Sequence, residues 1–155
     1  MHTVPRFVGI IFWILFGVLA LAYGLEFIVY WSASIPWVDM PLHALGGMWA
    51  SFLFFILFLH LFDETLLAHA WEKAKIAIVA VSFAALVGIL WEFHEYIFAQ
   101  YFSLYLQPGV RDTLGDFFWD ILGGALGAWI VLRRIRPLSY SGQNEEEVQN
   151  QNLPL

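Results

Sequence analysis

Six acidic residues and one histidine stand at spacings that suit chemistry. Asp39 and His43 are four apart, Glu92 and Glu95 three apart, and Asp112, Asp116 and Asp120 follow one another in steps of four. On an α-helix such steps keep side chains on one face, so each set forms a stripe. Carboxylates around an imidazole hold divalent cations, and Mg, Mn, Zn and non-haem iron all suit that donor set. A cation held by Asp39, His43, Glu92, Glu95, Asp116 and Asp120 would supply an activated water as nucleophile. His43 or Glu92 would then act as general base, and Arg111 would meet a substrate phosphate. No serine or cysteine nucleophile motif competes, and the chain has no cysteine.

Some of these residues also have plain structural explanations. Asp39 and Asp112 precede expected helix starts and would serve as N-caps, with Pro41 tolerated in the first turn. Glu26 stands near the outer end of an apolar run and would reach water at an interface, so Glu26 and Asp112 are secondary members of the set. His94 lies ~200° around a helix from Glu92 and is expected to point elsewhere. Capping accounts for none of Glu92, Glu95, Asp116 and Asp120.

The elements that must carry these residues follow from composition. Of 155 residues, 61% are hydrophobic and only 13% charged, too few polar groups to cover a water-soluble globule. Disorder, a collagen-like fibre and a disulfide-stapled module are excluded. A net charge of −6 without a basic stripe excludes a nucleic-acid binder. The expected fold is all-α, a polytopic membrane protein with four transmembrane helices in a bundle. A span needs ~20 mostly apolar residues, and four stretches qualify: Phe7 to Trp31, Val38 to Phe62, Ile76 to about Phe102, and Thr113 to Leu132. Pro36, the polar stretch Asp63 to Lys75, and Gln107-Pro-Gly-Val-Arg111 separate them. Ala20-Leu21-Ala22 resembles a signal cleavage site, but the apolar run continues to Trp31, which suits a retained anchor. Residues 1–137 form the transmembrane domain, and 138–155 read as a disordered, solvated cytoplasmic tail.

Orientation follows from the Lys and Arg residues near the span ends. With four spans, Arg6, Lys73, Lys75, Arg133, Arg134 and Arg136 share one side, and Arg111 stands alone on the other. Both termini are therefore expected in the cytoplasm, in the plasma (inner) membrane. Tyr30, Trp31, Trp37, Tyr96, Tyr101 and Tyr105 would form an aromatic belt at the outer boundary.

This topology gathers the acids. At ~1.5 Å per residue Glu26 lies roughly 28 Å from Phe7, near the outer surface. Asp39 opens span two there, Glu92 and Glu95 close span three, and Asp112, Asp116 and Asp120 open span four. A carboxylate facing lipid costs at least ~2.5 kcal/mol, so the stripes should face the bundle interior or a wet cavity. Crowded carboxylates opposed by Arg111 alone call for protonation or a bound cation. Di-metal bundles with Glu-x-x-His motifs are a loose precedent, since here the order is Glu-x-x-Glu with His43 on another helix. Gly123 and Gly127 have GxxxG spacing, Gly124 and Gly127 continue the stripe of span four, and Gly46-Gly47 are similarly placed in span two.

Three ordered segments carry a family resemblance. Asp39-Met-Pro-Leu-His43-Ala-Leu-Gly-Gly47 resembles the Asp-x-x-x-His-x-x-x-Gly segment of YjdF-like inner-membrane proteins. Trp91-Glu92-Phe-His-Glu95-Tyr96 is similar to their Glu-x-x-Glu-Trp segment, with Tyr96 in the tryptophan's place. Asp116-Phe-Phe-Trp-Asp120, followed by Gly127-Ala128, resembles their Asp-x-x-x-Asp with a glycine seven residues on. More distantly, the outline resembles VanZ-like proteins, with Met40 where those have lysine. The resemblance spans Val38 to Leu132 and implies a multi-pass plasma-membrane protein with a polar outer-leaflet site; it brings no settled activity. Three readings follow. The first is a metal-dependent enzyme acting on a lipid head group or lipid-linked phosphate, with the lipid bilayer as its setting. The second is a cation or proton transport component. The third is an accessory or scaffold protein whose acids hold the bundle together.

Overall fold

A computed structural model describes residues 6–29, 36–58, 70–102 and 109–134; the side chains of 26–29, 36 and 102 lie outside that description. Four helices form: α1 (Arg6–Val29), α2 (Asp39–Phe58), α3 (Ala70–Phe102) and α4 (Val110–Arg134), with a 3-10 turn, Pro36–Val38, leading into α2. All four contain a stretch long and apolar enough to cross a membrane. The fold is the expected all-α four-helix membrane bundle. Glu26's side chain, belt residues Tyr30, Trp31 and Tyr105, and the tail 138–155 fall outside the described residues.

Two helix starts differ from the sequence expectation. α3 begins at Ala70, so the polar break does not extend to Lys75. Ala70 to Lys75 is rich in helix formers, and Lys75 donates to Glu72 at 2.9 Å, so the helix continues beyond the apolar segment. At 33 residues α3 is ~50 Å long against a hydrocarbon core of ~30 Å. α4 begins at Val110 rather than Thr113. Gly109, at φ 139°, turns the chain, and its carbonyl accepts from the Asp112 and Thr113 amides at 3.0 and 3.3 Å. Asp112 thus lies inside the first turn and is not the N-cap, although its charge still suits the positive end of the helix dipole. α1 runs unbroken through Ala20 to Ala22.

α2 packs against all three other helices, most extensively against α4. The bundle is divided by depth. Toward the chain termini, Val8, Phe12 and Leu15 of α1 join Phe52, Phe54 and Phe55 of α2, Ile76 and Ala80 of α3, and Ala128, Val131 and Leu132 of α4 in one apolar core. Phe12 stacks on Trp49 with centroids 5.2 Å apart. At the membrane boundary of this half, Lys73 reaches the Leu132 carbonyl (3.5 Å), Arg133 lies over Trp129 and Arg134 over Phe7. Among the described residues this basic end holds Arg6, Lys73, Lys75, Arg133 and Arg134, and the opposite, acidic end holds Arg111 alone.

Glycine seams set how closely the helices approach. Gly123 lies on the Ala44 backbone of α2, and Gly47 lies on the Asp120 backbone of α4; a Cβ at either would overlap the facing carbonyl. Gly127 faces Met48 and Ser51, whereas Gly124 faces α3, where its Cβ would fall 2.6 Å from that of Ala84. The stripe of small residues on α4 thus serves two neighbours at once.

Candidate cation site

The acidic half of the bundle is where the chemistry-bearing residues meet. His43 (5% exposed), Glu92 (5%), Asp116 (3%) and Asp120 (4%) are the buried ionisable side chains among the described residues. They come from α2, α3 and α4, each from the face that meets the other two helices. His43 is the hub. Its Nδ1 donates to Oδ2 of Asp120 at 3.2 Å. Its Nε2 looks the other way, 3.7 Å from Oδ1 of Asp39 and 3.9 Å from Oδ1 of Asp116. Two triads can place one ligand atom each within 4.8 Å of one another: Asp39, His43 and Asp116, and His43, Glu92 and Glu95.

Those separations suit a shared ion. Bonds of ~2.0–2.2 Å to nitrogen and oxygen leave two ligands of one metal no more than about 4.3 Å apart. The Nε2 distances to Asp39 and Asp116 lie inside that limit, and carboxylates with imidazole are the donors that Mg, Mn, Zn and iron accept. Asp120 stands apart from both triads. It holds the far nitrogen of the imidazole, as the outer partner of a metal-bound histidine commonly does.

Three glycines seat Asp120. A Cβ on Gly88 of α3 would overlap its carboxylate, Gly47 lies on its backbone, and Gly46 is in ordinary contact at 3.8 Å from Oδ1. Gly46 and Gly47 stand out in the sequence beside His43, and Gly88 stands alone on its helix. A signal was present, since Ala80, Ala84, Gly88 and Glu92 recur every four residues and all are buried, a small-residue stripe ending on an acid.

The remaining residues take other places. Glu95 accepts from the Trp91 indole at 2.7 Å. His94 turns away, as expected, and pairs through Nε2 with the Tyr23 hydroxyl of α1 at 2.9 Å; no spacing pattern marks Tyr23. Asp112 is half-buried one turn before Asp116 and belongs to neither triad. Arg111 is exposed at the start of α4.

The model of a family described as "Predicted membrane protein (DUF2238)" covers residues 3–137. No curated protein and no solved structure matches the chain.

Proposed function

We propose, taking as premise that this chain belongs to the DUF2238 family of predicted membrane proteins, that it binds a divalent cation at the acidic end of its bundle. The YjdF-like proteins of the motif comparison are this family; the VanZ-like outline is a more distant motif likeness. The observation that carries the reading is the imidazole of His43, held at Nδ1 by Asp120 while Nε2 faces Asp39 and Asp116 at 3.7 and 3.9 Å. Asp39, His43 and Asp116 would hold the ion, with Glu92 and Glu95 completing or sharing it. When bound, it would supply an activated water for hydrolysis or transfer at a lipid head group or lipid-linked phosphate. Glu92, buried beside His43, would take the proton from the attacking group. Arg111 would meet the phosphate.

The site would lie in the outer leaflet of the plasma membrane. The basic end of the bundle would then face the cytoplasm with both termini, in agreement with the positive-inside rule. A fluorescent reporter that matures only in the cytoplasm, fused after Pro137, should be bright. A dark fusion, with a working periplasmic reporter at the same position, would invert the orientation.

The cation is tested by metal content and melting temperature measured together. Wild-type protein should carry bound metal, and added metal should raise its melting temperature by mass action. Glu92→Gln and Asp116→Asn should each lower occupancy and shrink that rise while the protein stays folded. Asp112→Asn should do less, because that residue lies outside both triads. A metal-free wild type, with Glu92→Gln and Asp116→Asn both more stable, would point instead to an inert network in which buried charge is a cost. The accessory or scaffold reading would then replace this one. A transport role lacks a visible path: apart from Glu72 at the basic start of α3, the described acids in the spans lie in the acidic half.

A further inference from the structure

The Glu95 carboxylate, part of the triad with His43 and Glu92, is held from one turn back on its own helix. The Trp91 indole donates to Oε1 at 2.7 Å. An indole N–H is a donor only, so Trp91 can steer the carboxylate without competing for an ion. The indole is fixed in turn. The Tyr23 ring of α1 makes a T-shaped contact with it, centroids 5.2 Å apart, and the His94 ring packs on it at 5.1 Å. A hydrogen bond of 2.9 Å between the Tyr23 hydroxyl and His94 Nε2 closes the triangle, and Phe98 packs on His94 at 4.3 Å.

Stability alone does not account for this triangle. Nδ1 of His94 is buried with no hydrogen-bond partner among the described residues. If the hydroxyl donates to Nε2, Nδ1 carries an unpaired proton; if Nε2 donates, Nδ1 is an unpaired acceptor. An unpaired buried polar atom generally costs more than one neutral hydrogen bond returns. A phenylalanine would fill the same place between Trp91 and Phe98 without that cost. What the polar pair adds is direction, because it ties Tyr23 to one point on α3 and so fixes the ring against which Trp91 stands.

We infer that Trp91, Tyr23 and His94 are positioning residues for Glu95, and that through them α1 sets how tightly the acidic end holds a cation. The inference rests on the proposed function for its ion and on these contacts for its geometry. Among the described side chains α1 brings no acid to the bundle, and its buried residues Val8, Phe12 and Leu15 belong to the apolar half. Tyr23 gives this helix a hold on the opposite, acidic half. Hydrogen-bond partners that orient a metal-binding carboxylate typically change metal affinity ~10–100-fold.

The test uses the full chain in detergent, isotope-labelled at the tryptophan indole nitrogens, with Mn²⁺ and Zn²⁺ as probes. Trp91→Phe identifies the Trp91 indole resonance by its loss. Tyr23→Phe and His94→Phe keep an aromatic ring and remove the hydrogen bond between α1 and α3; each should shift that resonance. Trp91→Phe should weaken cation binding ~10–100-fold, and Tyr23→Phe and His94→Phe should weaken it several-fold. His94→Phe should nevertheless keep or raise the melting temperature of the metal-free protein, a combination that a merely structural role does not give. Trp13→Phe, at an exposed position of α1, should leave affinity and resonance as in the wild type. Wild-type affinity in Trp91→Phe, an indole resonance unmoved by both Tyr23→Phe and His94→Phe, or affinity that falls only as melting temperature falls would each overturn the inference. The two proposals fail separately. A wild type that binds neither ion sinks the cation reading, and the indole resonance then decides the Tyr23–His94–Trp91 arrangement by itself.

Discussion

Gly123→Leu and Gly47→Leu should yield no folded bundle: no monodisperse peak in detergent and no cooperative thermal transition. Both glycines lie where the backbones of α2 and α4 touch, so a new side chain meets main-chain atoms that have no rotamer to move to. Alanine at these positions is the sharper experiment, because it reverses a usual sign. Within a helix, alanine in place of glycine ordinarily stabilises by up to ~1 kcal/mol. Gly9→Ala and Gly17→Ala should follow that rule, since a Cβ at either meets nothing within 4 Å. Gly47→Ala and Gly123→Ala should instead destabilise by ~1–3 kcal/mol or more, the cost of overpacking. Adjacent glycines should also differ. A Cβ on Gly46 makes only ordinary contact with Asp120 at 3.8 Å, so Gly46→Ala should be near neutral. Gly124→Leu should fail as Gly123→Leu does, though against α3. Equal melting temperatures for Gly46→Ala and Gly47→Ala would show that the α2–α4 seam is not the close contact described.

The second large effect belongs to His43. His43→Ala should abolish bound metal, whereas Glu92→Gln or Asp116→Asn only lowers it, because the imidazole is common to both triads. The same change should destabilise the metal-free protein by ~3–5 kcal/mol, since breaking a buried polar pair leaves the remaining carboxylate without its partner. Asp120 offers the check. Its carboxylate is 3.2 Å from Nδ1 and buried, so the two residues should be strongly coupled. Asp120→Asn alone should lower metal affinity ~10–100-fold, as loss of an outer partner typically does. Made in the His43→Ala background, Asp120→Asn should be neutral or stabilising, because the amide carries no charge to bury. A double-mutant cycle on melting free energy measures this directly. Additive effects would mean that His43 and Asp120 do not act as a pair, and metal retained by His43→Ala would remove the imidazole from the ligand set.

Much of this protein is legible from one sequence, for a local reason. Hydropathy over twenty residues reports whether a helix can cross a bilayer, and the helical period reports which side chains share a face. Hence the four spans, the common depth of Asp39, His43, Glu92, Glu95, Asp116 and Asp120, and the turn of His94 away from Glu92 all follow without coordinates. Helix ends are less legible where composition straddles the membrane boundary. Ala70 to Lys75 is too polar for a span yet helical, and Gly109 starts α4 before the apolar run begins. What the sequence could not decide is how each helix is rotated about its own axis relative to the others. That depends on which small residues let two backbones touch, a contact between positions as far apart in sequence as Gly47 and Asp120. Only the packed bundle assigns Asp120 to one nitrogen of His43 and Asp39 with Asp116 to the other. It brings Gly88 against Asp120 and Tyr23 of α1 against His94. Helical periodicity is set by neighbours three and four residues away, whereas azimuth is set by close packing across the bundle, which no local pattern encodes.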